Sequence, residues 1–375
     1  MPAGPPSPAP ERREFVVVGA GALGLATAWT LARRHRDVVV LDAAHPGHDG
    51  AGSRGDARIL RGSYTERHYV EMAREARPMW DALERDSGRA LLHRCGLLNF
   101  GDGLGALHDA MRSAGTAATP LSAAETRARF PGLAVDGPSL WERDAGVLAA
   151  DACLGAFVET APFTVRPDAA VRRVGPGDDA GAAVELADGG RVVADAVVIC
   201  AGPSSLALLG DAPTAVAAPA TWQQVVYLAT PRHHEWPAFI EWGPSTFYGL
   251  PVRARGCLKL AQHVPATPRR GEDVPGDDPR LLEALRGAAR RLLPGCGPEP
   301  VATERCLYDN TVDGDFVLDR VGDVVVGCGT SGHGFKFAPL LGEILADLAT
   351  GVAPRIDVAR FSLGRALVGG DGRRA

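Results

Sequence analysis

The sequence predicts an α/β fold in which a parallel sheet with helices carries a second, mainly antiparallel β domain. Three observations predict it. The chain opens with a β-branched run, a glycine turn and a helical segment, which is the order of a βαβ unit. A later apolar run, residues 192–202, resembles another strand of the same sheet. Residues 221–263 then change to the period-two pattern of antiparallel strands.

The opening unit has the pattern of a dinucleotide-binding turn. Residues 15–18 form a short β-branched run, and Gly19-x-Gly21-x-x-Gly24 follows at once. The glycines permit a tight turn, close approach of a pyrophosphate, and packing of the helix on the strand, with the phosphates at the helix N-terminus. The next predicted strand ends at Asp42, where a carboxylate can accept a hydrogen bond from a ribose hydroxyl. The unit predicts NAD or FAD, and Asp42 disfavours NADP because it would repel the 2′-phosphate.

Composition limits the class of protein. The 375 residues suffice for two domains, and 46% hydrophobic with 23% charged residues is ordinary for a globular protein. A net charge of −5 provides no basic surface for nucleic acid. Seven cysteines without a C-x-x-C pair indicate reduced thiols. The chain shows no apolar signal segment and no run as long as a membrane span, so we expect a cytoplasmic protein.

Apolar spacing predicts the remaining elements. Helices are predicted over residues 25–34, 69–84, 122–130, 151–161, 280–293 and 339–349. Near the end of the chain, strands are predicted over residues 316–319 and 324–326. The stretch 48–56, which contains Ser53, is too rich in glycine to be regular, and residues 265–279 read as a loop.

Two arginines after the glycine-rich stretch are the first candidates for an anion site. Arg58 and Arg61 are three residues apart and Tyr64 follows at the same interval, so a helical turn would place them on one face. Arginine binds carboxylates through two parallel hydrogen bonds. A pair of solvated surface arginines explains these residues equally well.

A predicted hairpin between residues 247 and 263 supplies the next candidates. If residues 257–263 form a strand, Lys259 and His263 point to the same face of it. A lysine between two leucines, with a histidine two steps further along that face, could line a cavity. A solvent-exposed edge strand, where lysine discourages aggregation, explains the same pattern.

The C-terminal part of the chain contributes a thiol, an aromatic ring, a glycine loop and an ammonium group. Cys306 and Tyr308 are separated by one residue, and a later loop contains Gly332, Gly334 and Lys336. Such groups could hold a flavin and a small acid. Together with the dinucleotide-binding unit they predict a flavin-dependent amine oxidase.

Over roughly residues 14–366 the chain resembles the family of monomeric sarcosine oxidase, N-methyltryptophan oxidase and pipecolate oxidase. This family is part of the D-amino-acid oxidase superfamily of flavoenzymes. The most specific matches are residues 55–61, the hairpin 248–263, Cys306-Leu307-Tyr308 and the loop 331–337. The resemblance implies an FAD-binding Rossmann-like domain of the D-amino-acid oxidase (GR2) type and a monomeric protein.

The resemblance also implies roles for individual residues. The cysteine matching Cys306 carries FAD as a thioether on its 8α-methyl carbon, residues matching Arg61 and Lys336 clamp the substrate carboxylate, and oxygen is activated at the lysine matching Lys259. Expected catalytic residues are Lys259, His263, Arg58, which lies against the flavin, and Tyr248. Other positions expected to line the substrate cavity are Tyr64, Glu66, Tyr308 and His333. Expected cofactor contacts are Gly19, Gly21, Gly24, Asp42, Ser53, Arg58, Val171, Gly202, Cys306, Gly332, Gly334 and Lys336.

The expected domain division follows the same resemblance. The FAD-binding domain is expected to comprise residues 14–90, 146–213 and 304–366, and the substrate domain residues 91–145 and 214–303. Residues 1–13 are expected to be a disordered tail, and residues 367–375 a flexible one.

The expected reaction is oxidation of a secondary amino acid, N-methylated or cyclic, to an imine, with O2 reduced to H2O2. The substrate α C–H gives hydride to the flavin, and the imine is hydrolysed by water. Neither a metal nor a partner beyond the small amine and O2 is expected. His263 either helps to deprotonate the substrate ammonium or only shapes the cavity.

One turn departs from the sarcosine-oxidase pattern. Arg253 and Arg255 occupy positions where small or aromatic residues are expected. They are either solvated or an indication of a larger, more acidic substrate. The alternatives that remain are a flavin-dependent amino- or imino-acid dehydrogenase with another acceptor, a biosynthetic oxidase of a larger amine, a flavin-binding protein without oxidase activity and an NAD-dependent dehydrogenase, which would have no use for Cys306.

Overall fold

The computed structural model of the protein describes residues 10–178, 180–210, 215–230, 235–263, 267–268 and 274–367. All six predicted helices are confirmed with small shifts at their ends, and one more, α3, was not predicted. The helices are α1 Ala22–Arg33, α2 Arg67–Ser87, α3 Leu104–Ser113, α4 Ala123–Arg129, α5 Ala150–Glu159, α6 Pro279–Leu292 and α7 Ala338–Thr350. Within the described ranges, none of the helices combines the length and the apolar character needed to cross a membrane.

The first sheet has eight strands and carries the glycine turn. Its strands are β1 Glu11–Val18, β2 Val38–Leu41, β9 Thr164–Arg166, β10 Val171–Pro176, β11 Ala182–Leu186, β12 Arg191–Ile199, β19 Val317–Val321 and β20 Val324–Cys328. β1 lies between β2 and β12 and is parallel to both, while β9 and β20 extend the parallel part on either side. The apolar halves of the central strands are buried, as expected for strands covered on both faces.

The N-terminal tail ends earlier than expected. Residues 1–13 were expected to be disordered, but β1 begins at Glu11, whose backbone pairs with Val192 of β12. The parallel ladder recruits these polar residues because its hydrogen bonds come from the backbone and do not depend on side-chain polarity. Residues 1–9, and all of the expected C-terminal tail beyond Leu367, lie outside the described residues.

The second sheet has nine strands and is mainly antiparallel. Its strands are β5 Leu97–Gly101, β6 Thr119–Leu121, β7 Ser139–Glu142, β13 Thr221–Ala229, β14 Ala238–Trp242, β15 Thr246–Val252, β16 Cys257–His263, β17 Thr267–Pro268 and β18 Ala302–Tyr308. β14 and β5 are its one parallel pair among the described strands. A small sheet, formed by β3 Arg58–Leu60, β4 Leu92–His93 and β8 Gly146–Leu148, adjoins these two.

The strand of Cys306 moves one expected domain boundary. The boundary at residue 304 falls inside β18, which pairs along its whole length with β13, from Ala302 opposite Tyr227 to Tyr308 opposite Thr221. Cys306 therefore belongs to the nine-stranded sheet. The edge of β13 is available to it because residues between α6 and β18 return the chain to that sheet.

Helices α1 and α7 pack together on the first sheet, and Gly342 lies at their closest approach. A Cβ atom at Gly342 would be 2.5 Å from the carbonyl carbon of Ala26. Gly287, in α6, is also a helical glycine, but a Cβ atom there would have nothing within 4 Å. The same substitution at these two glycines therefore tests helix packing at Gly342 and helix propensity at Gly287.

We predict opposite effects for the same substitution at these two positions. Gly342→Ala should destabilise the protein by about 1–3 kcal/mol because the added methyl overpacks the α1–α7 contact. Gly287→Ala should stabilise it by about 0.5–1 kcal/mol because alanine is the better helix former. Urea unfolding measures both, and a Gly342→Ala protein as stable as the Gly287→Ala protein would contradict the packing described.

Candidate active site

The glycine turn after β1 has no room for larger side chains. Gly19 has φ +105°, and a Cβ atom there would be 2.4 Å from the carbonyl oxygen of Cys200. At Gly24, in the first turns of α1, a Cβ atom would be 1.9 Å from the carbonyl oxygen of Gly19. The helix start can therefore press against the strand end, which leaves backbone N–H groups and the positive end of the helix dipole open to an anion.

Two predicted cofactor contacts border this turn. The carboxylate of Asp42 accepts a hydrogen bond from the backbone N–H of Ala20 at 2.5 Å. The Oγ of Ser53 accepts one from the backbone N–H of Ala22 at 2.9 Å. Asp42 and Ser53 thus hold the turn from both sides.

Two other predicted contacts lie further along the first sheet. Gly202, with φ +54°, is the third residue after the end of β12, and Val171 opens β10. Val171 packs, partly buried, against the apolar core that contains Val18 and Leu41. Those two residues immediately precede the glycine turn and Asp42, so this core also supports the turn.

Strand register explains why residues distant in sequence meet on the second sheet. β13 has β16 on one side and β18 on the other, and Lys259 is opposite Tyr227, which is opposite Ala302. On the far side of β16, β15 places Leu250 opposite Lys259. Because side chains alternate along each strand, the following share one face of the sheet: Tyr248, Lys259, His263, Cys306 and Tyr308.

The exposed-edge interpretation of the lysine strand is excluded. β16 lies between β13 and β15, and the side chain of Lys259 is 4% exposed. Its Nζ is 3.4 Å from the carbonyl oxygen of Ala57, to which it donates. The inward-facing prediction for this strand is confirmed.

This face borders a cavity of about 90 Å³. Ten of its sixteen lining residues were predicted as site residues: Arg58, Arg61, Tyr248, Lys259, His263, Cys306, Tyr308, Gly332, His333 and Lys336. Six others were missed: Ala57, Ile59, Ile240, Trp242, Thr246 and Leu250. Alternation along β15 could have identified Thr246 and Leu250, whereas Trp242 reaches the cavity only through the pairing of β14 with β15.

Two sequence-based expectations are corrected here. Arg58 and Arg61 do not share a helical turn, since Arg58–Leu60 is the extended strand β3. In a continuous strand, residues three apart would face opposite sides, and the two arginines reach the same cavity because the strand ends at Leu60. Glu66 does not line the cavity, because its carboxylate pairs with Arg360 at 2.9 Å.

Tyr64 lies directly behind the cavity wall and fixes two cations. The guanidinium carbon of Arg61 is 4.0 Å from the centroid of its ring, and the Nζ of Lys336 is 5.4 Å from it. The ring of Trp242 lies 5.2 Å from the same guanidinium. Burial raises the pKa of Tyr64 to about 12, so the phenol stays neutral.

A directed hydrogen-bond chain continues from Lys336 through Tyr64. The Nζ of Lys336 donates to the hydroxyl oxygen of Tyr64 (2.8 Å) and to the carbonyl oxygen of His333 (2.7 Å). The tyrosine hydrogen is therefore directed at Nδ1 of His333, 3.3 Å away. The Nε2 of His333 donates to the carbonyl oxygen of Gly314 at 3.2 Å. This pattern requires the neutral imidazole, in agreement with burial, which lowers its pKa well below the usual value.

The buried cations repel one another. Burial and the neighbouring charge of Arg61 lower the pKa of Lys336 well below the usual lysine value. Burial and the charge of Arg58 lower the pKa of Lys259 to about 8. Burial, Arg61 and Lys336 lower the pKa of His263 to about 4, so its imidazole is neutral at physiological pH.

Lys259 and Lys336 are the only two lysines in the chain, among 40 cationic residues. Everywhere else the chain uses arginine, which stays protonated in proteins. Both ammonium groups, whose charge can be switched by a shift in pKa, face this one cavity. The concentration of titratable cations indicates chemistry that needs an adjustable positive charge.

Glu142, at the end of β7, is a buried acid that sequence reasoning missed. Its Oε1 accepts a hydrogen bond from the backbone N–H of Gly62 at 2.6 Å. Burial raises the pKa of Glu142, while the charge of Arg61 opposes that rise. Glu142 thus attaches the chain after Arg61 to the second sheet and places a carboxyl group near Arg61. No local pattern around residue 142 indicates this contact, which depends on strand pairing.

The thiol of Cys306 faces a guanidinium. The Nη2 of Arg58 is 3.7 Å from the Sγ of Cys306 and donates to the carbonyl oxygens of Gly52 (3.0 Å) and Arg54. All seven cysteines are free, and Cys306 is the one that lines the cavity. Arg58 is therefore tied to the glycine-rich loop and aimed at the thiol.

The glycine loop closes the other side of the cavity. Gly332 has φ +78°, and a Cβ atom there would lie 2.2 Å from the ring of Tyr308. At Gly334 a Cβ atom would be 2.5 Å from Thr330. A larger residue at Gly332 would push the loop away from the thiol strand, and one at Gly334 would disturb the fold of the loop itself.

Comparisons with known proteins identify the family of the chain. Residues 14–348 match the DAO family, the FAD dependent oxidoreductases. Peroxisomal sarcosine oxidase of Homo sapiens is 30% identical over 380 residues, covering 94% of this chain and 96% of the relative. N-methyl-L-tryptophan oxidase of Yersinia pestis (strain Pestoides F) is 29% identical over 374 residues, covering 94% and 99%. The solved structure of NikD, an unusual amino acid oxidase essential for nikkomycin biosynthesis, has TM-score 0.81 and 27% identity, covering 94% and 97%.

The fold and the site define a flavoprotein of the D-amino-acid oxidase type. Two large sheets, a glycine turn at a helix N-terminus and a cation-lined cavity between distant segments all fit that class. The chain belongs to the family of FAD dependent oxidoreductases.

We predict that Lys259→Met stabilises the flavin-free protein at pH 7 by about 3 kcal/mol, the equivalent of a pKa shift from 10.5 to about 8. Because the folded pKa is the lower one, the unfolded chain binds the proton more strongly. The cost of the buried ammonium is therefore complete below pH 8 and disappears as the pH passes 10.5. Urea unfolding across this pH range measures it, with exposed Arg253→Met as the control that should change little. A less stable Lys259→Met protein at pH 7 would show that Lys259 is a net stabilising residue.

Proposed function

We propose that the protein is an FAD-dependent amine oxidase of the sarcosine-oxidase kind, which oxidises a secondary amino acid to an imine and reduces O2 to H2O2. The observation that carries the proposal is the cavity in which Arg61 and the two lysines face Cys306 and Arg58. Nearby acids compensate the buried cations only in part, which favours an anionic substrate. The names of the relatives, sarcosine oxidase and N-methyl-L-tryptophan oxidase, support the same class of reaction.

The residues present fit FAD. The cradle at Gly19 and Gly24 suits a pyrophosphate, and a thiol faces the cavity where the reactive ring would lie. We propose a thioether between Cys306 and the 8α-methyl carbon of FAD; its formation would remove the thiol hydrogen and one methyl hydrogen, with O2 as the two-electron acceptor. When bound, FAD supplies the two-electron acceptor for the substrate hydride. The proposed cofactor contacts are Gly19, Gly21, Gly24, Asp42, Ser53, Arg58, Val171, Gly202, Cys306, Gly332, Gly334 and Lys336.

The chain itself orients the substrate. Arg61 and Lys336, both fixed by Tyr64, would bind the carboxylate through charge-assisted hydrogen bonds. Holding that end fixes the direction of the α C–H, which is an effect of orientation. The neutral imidazole of His263 can accept a proton from the substrate ammonium, since its pKa of about 4 leaves it unprotonated.

Lys259 would provide the positive charge for the oxygen half of the reaction. Its ammonium is buried beside Arg58, and its pKa of about 8 leaves most of it charged at neutral pH. A preorganised charge in a dry site stabilises developing negative charge better than water does. Tyr248 and Tyr308, which both line the cavity on the same face of the sheet, would complete the wall beside it.

The cavity favours a small substrate over a large acidic one. Arg253 and Arg255 do not line it, so the basis for expecting a more acidic substrate is gone. The indole N–H of Trp242 donates to Asn99 at 2.9 Å. The Trp242 ring lies beside the guanidinium of Arg61 and limits the size of the cavity on that side. A biosynthetic role on a larger amine would require this wall to move.

Several further expectations remain proposals. We propose an FAD-binding part of residues 14–90, 146–213 and 309–366, with β18 assigned to the substrate part on the evidence of its pairing. A monomeric state and partners limited to an amine and O2 are proposed on the family resemblance, and a cytoplasmic location is kept as a proposal from the sequence.

Peroxide formation across a panel of amines tests the function. The panel should contain sarcosine, N-methyl-L-tryptophan, L-proline and L-pipecolate, with dimethylamine as the amine without a carboxylate. We expect peroxide from at least one secondary amino acid and none from dimethylamine. Bleaching of the flavin by an amino acid without peroxide on admission of O2 would instead indicate a dehydrogenase with another acceptor.

The covalent linkage gives a separate prediction. Wild-type protein precipitated in trichloroacetic acid should give a yellow pellet, because a thioether survives denaturation. Cys306→Ala should release its flavin into the supernatant or bind none, while Cys296→Ala, outside the cavity, should keep the yellow pellet. Flavin released from the wild type would disprove the linkage without touching the oxidase proposal.

The carboxylate clamp predicts a change in KM. Lys336→Met or Arg61→Gln leaves one cation to bind the anion, and one charge-assisted partner contributes roughly 1.5–3 kcal/mol. KM for the best amino acid should therefore rise about tenfold or more. Arg253→Gln, exposed and outside the cavity, is the control expected to match wild type. Unchanged KM in both clamp variants would place the carboxylate elsewhere.

A further inference from the structure

Arg255, in the turn between β15 and β16, binds two acids from other segments of the chain. Its Nε is 2.5 Å from Oδ2 of Asp56, and its Nη2 is 2.5 Å from Oε1 of Glu304. Its guanidinium carbon is 4.2 Å from the ring centroid of Tyr227, whose hydroxyl donates to Oε2 of Glu304 at 2.7 Å. Arg255 is thus engaged within the protein, neither simply solvated nor available to a substrate.

The two acids belong to the segments that carry the flavin-side residues. Asp56 is two residues before Arg58, and Glu304 is two residues before Cys306 on the same face of β18. Lys259 follows Arg255 by four residues on β16. The guanidinium of Arg255 therefore links the loop that contains Asp56 to β18, the strand of Cys306. It does so from the turn that leads into β16, the strand of Lys259.

The same acids act on Lys259. Its surroundings contain Arg58 from β3, Cys306 and Glu304 from β18, Asp56 from the loop, and, opposite it on β13, Tyr227. Asp56 and Glu304 raise the pKa of Lys259, while burial and Arg58 lower it. Their side chains are 21% and 18% exposed, so solvent screens them only partly.

We propose that Arg255 is a positioning residue for the oxygen-reactive lysine: it holds Asp56 and Glu304 together and away from Lys259, so that the ammonium keeps facing the cavity. The proposal rests on the proposed role of Lys259 in the oxidase. It explains why a cation stands at this position of the turn, where the family resemblance leads one to expect a small or aromatic residue.

Removing Arg255 has a defined consequence. Asp56 and Glu304 would lose their shared partner, and both acids act on the charge of Lys259 on β16. An unopposed carboxylate near an ammonium raises the pKa of that ammonium by about one unit or more. The ammonium group of Lys259 would then turn toward the two carboxylates and would stay protonated to higher pH.

The two-lysine composition makes the test direct. Holoenzyme grown with ¹³C-lysine contains only two lysine side chains to titrate by NMR, Lys259 and Lys336. In Arg255→Gln we expect the pKa of Lys259 to rise by about one unit or more, with that of Lys336 unchanged. Arg255→Lys adds a third lysine signal, recognised by its absence from the wild-type spectrum, and should give a smaller rise at Lys259 because it retains the charge. Arg253→Gln, in the same turn, should give none.

A parallel stopped-flow experiment follows the return of the oxidised-flavin absorbance when reduced enzyme meets O2. The pH at which this rate falls should move upward in Arg255→Gln by the same amount as the pKa of Lys259. If Arg255→Gln does not fold, Glu304→Gln is the second variant and should lower the pKa of Lys259.

A Lys259 pKa equal to wild type in the folded Arg255→Gln protein, or in Glu304→Gln, would overturn the proposal. This outcome is separate from failure of the proposed function. Absence of peroxide from wild-type enzyme with every amine would reject the oxidase, whereas a peroxide-forming wild type with an unmoved Lys259 pKa would reject only the role of Arg255.

Discussion

Mutual repulsion among buried cations is the constraint on which the site depends. Arg61, Lys259 and Lys336 are each less than a tenth exposed, and Arg58 lies beside them. Burying a charge without a partner is costly, and the protein reduces that cost by lowering the pKa of both lysines. Glu142 near the clamp and the Asp56–Glu304 pair near Lys259 compensate in part. The remaining positive potential is available to anions. The proposed oxidase chemistry needs two places for negative charge: the substrate carboxylate and the site of oxygen reduction.

The scaffold keeps these cations from moving apart. Strand register on the nine-stranded sheet fixes Lys259, His263 and Cys306 on one face, with β16 held between two neighbours. On the opposite side, Tyr64 holds Arg61 and Lys336 through its ring and hydroxyl. A sheet is a rigid support for a catalytic group, because displacing one strand breaks a whole ladder of hydrogen bonds. The site can therefore tolerate repulsion that a loop would relieve by opening.

Local patterns in the sequence predicted much of this structure, and the failures share a cause. The glycine turn, the six helices and the inward face of residues 257–263 depend on neighbours in sequence, which a period or a motif reports. The helical turn proposed for Arg58 and Arg61 was wrong because β3 is extended by pairing with β8, a partner almost ninety residues away. The prediction that Glu66 lines the cavity was wrong because its carboxylate pairs with Arg360. The contacts of Glu142 and Trp242 in the site, and the ion pairs of Arg255 with Asp56 and Glu304, also depend on pairing between distant segments. No local sequence pattern reports such contacts.

The cavity is lined by titratable cations that can bind an anion, and acetate binding is the direct test of this property. Lysine-selective ¹³C labelling gives two side-chain signals, each of which can be titrated with and without saturating acetate as a non-oxidisable carboxylate. The account predicts that Lys336 titrates well below 10.5 in the free enzyme and that acetate raises its pKa by about one unit or more, with a smaller change at Lys259. A Lys336 signal that titrates near 10.5 and does not respond to acetate would contradict it.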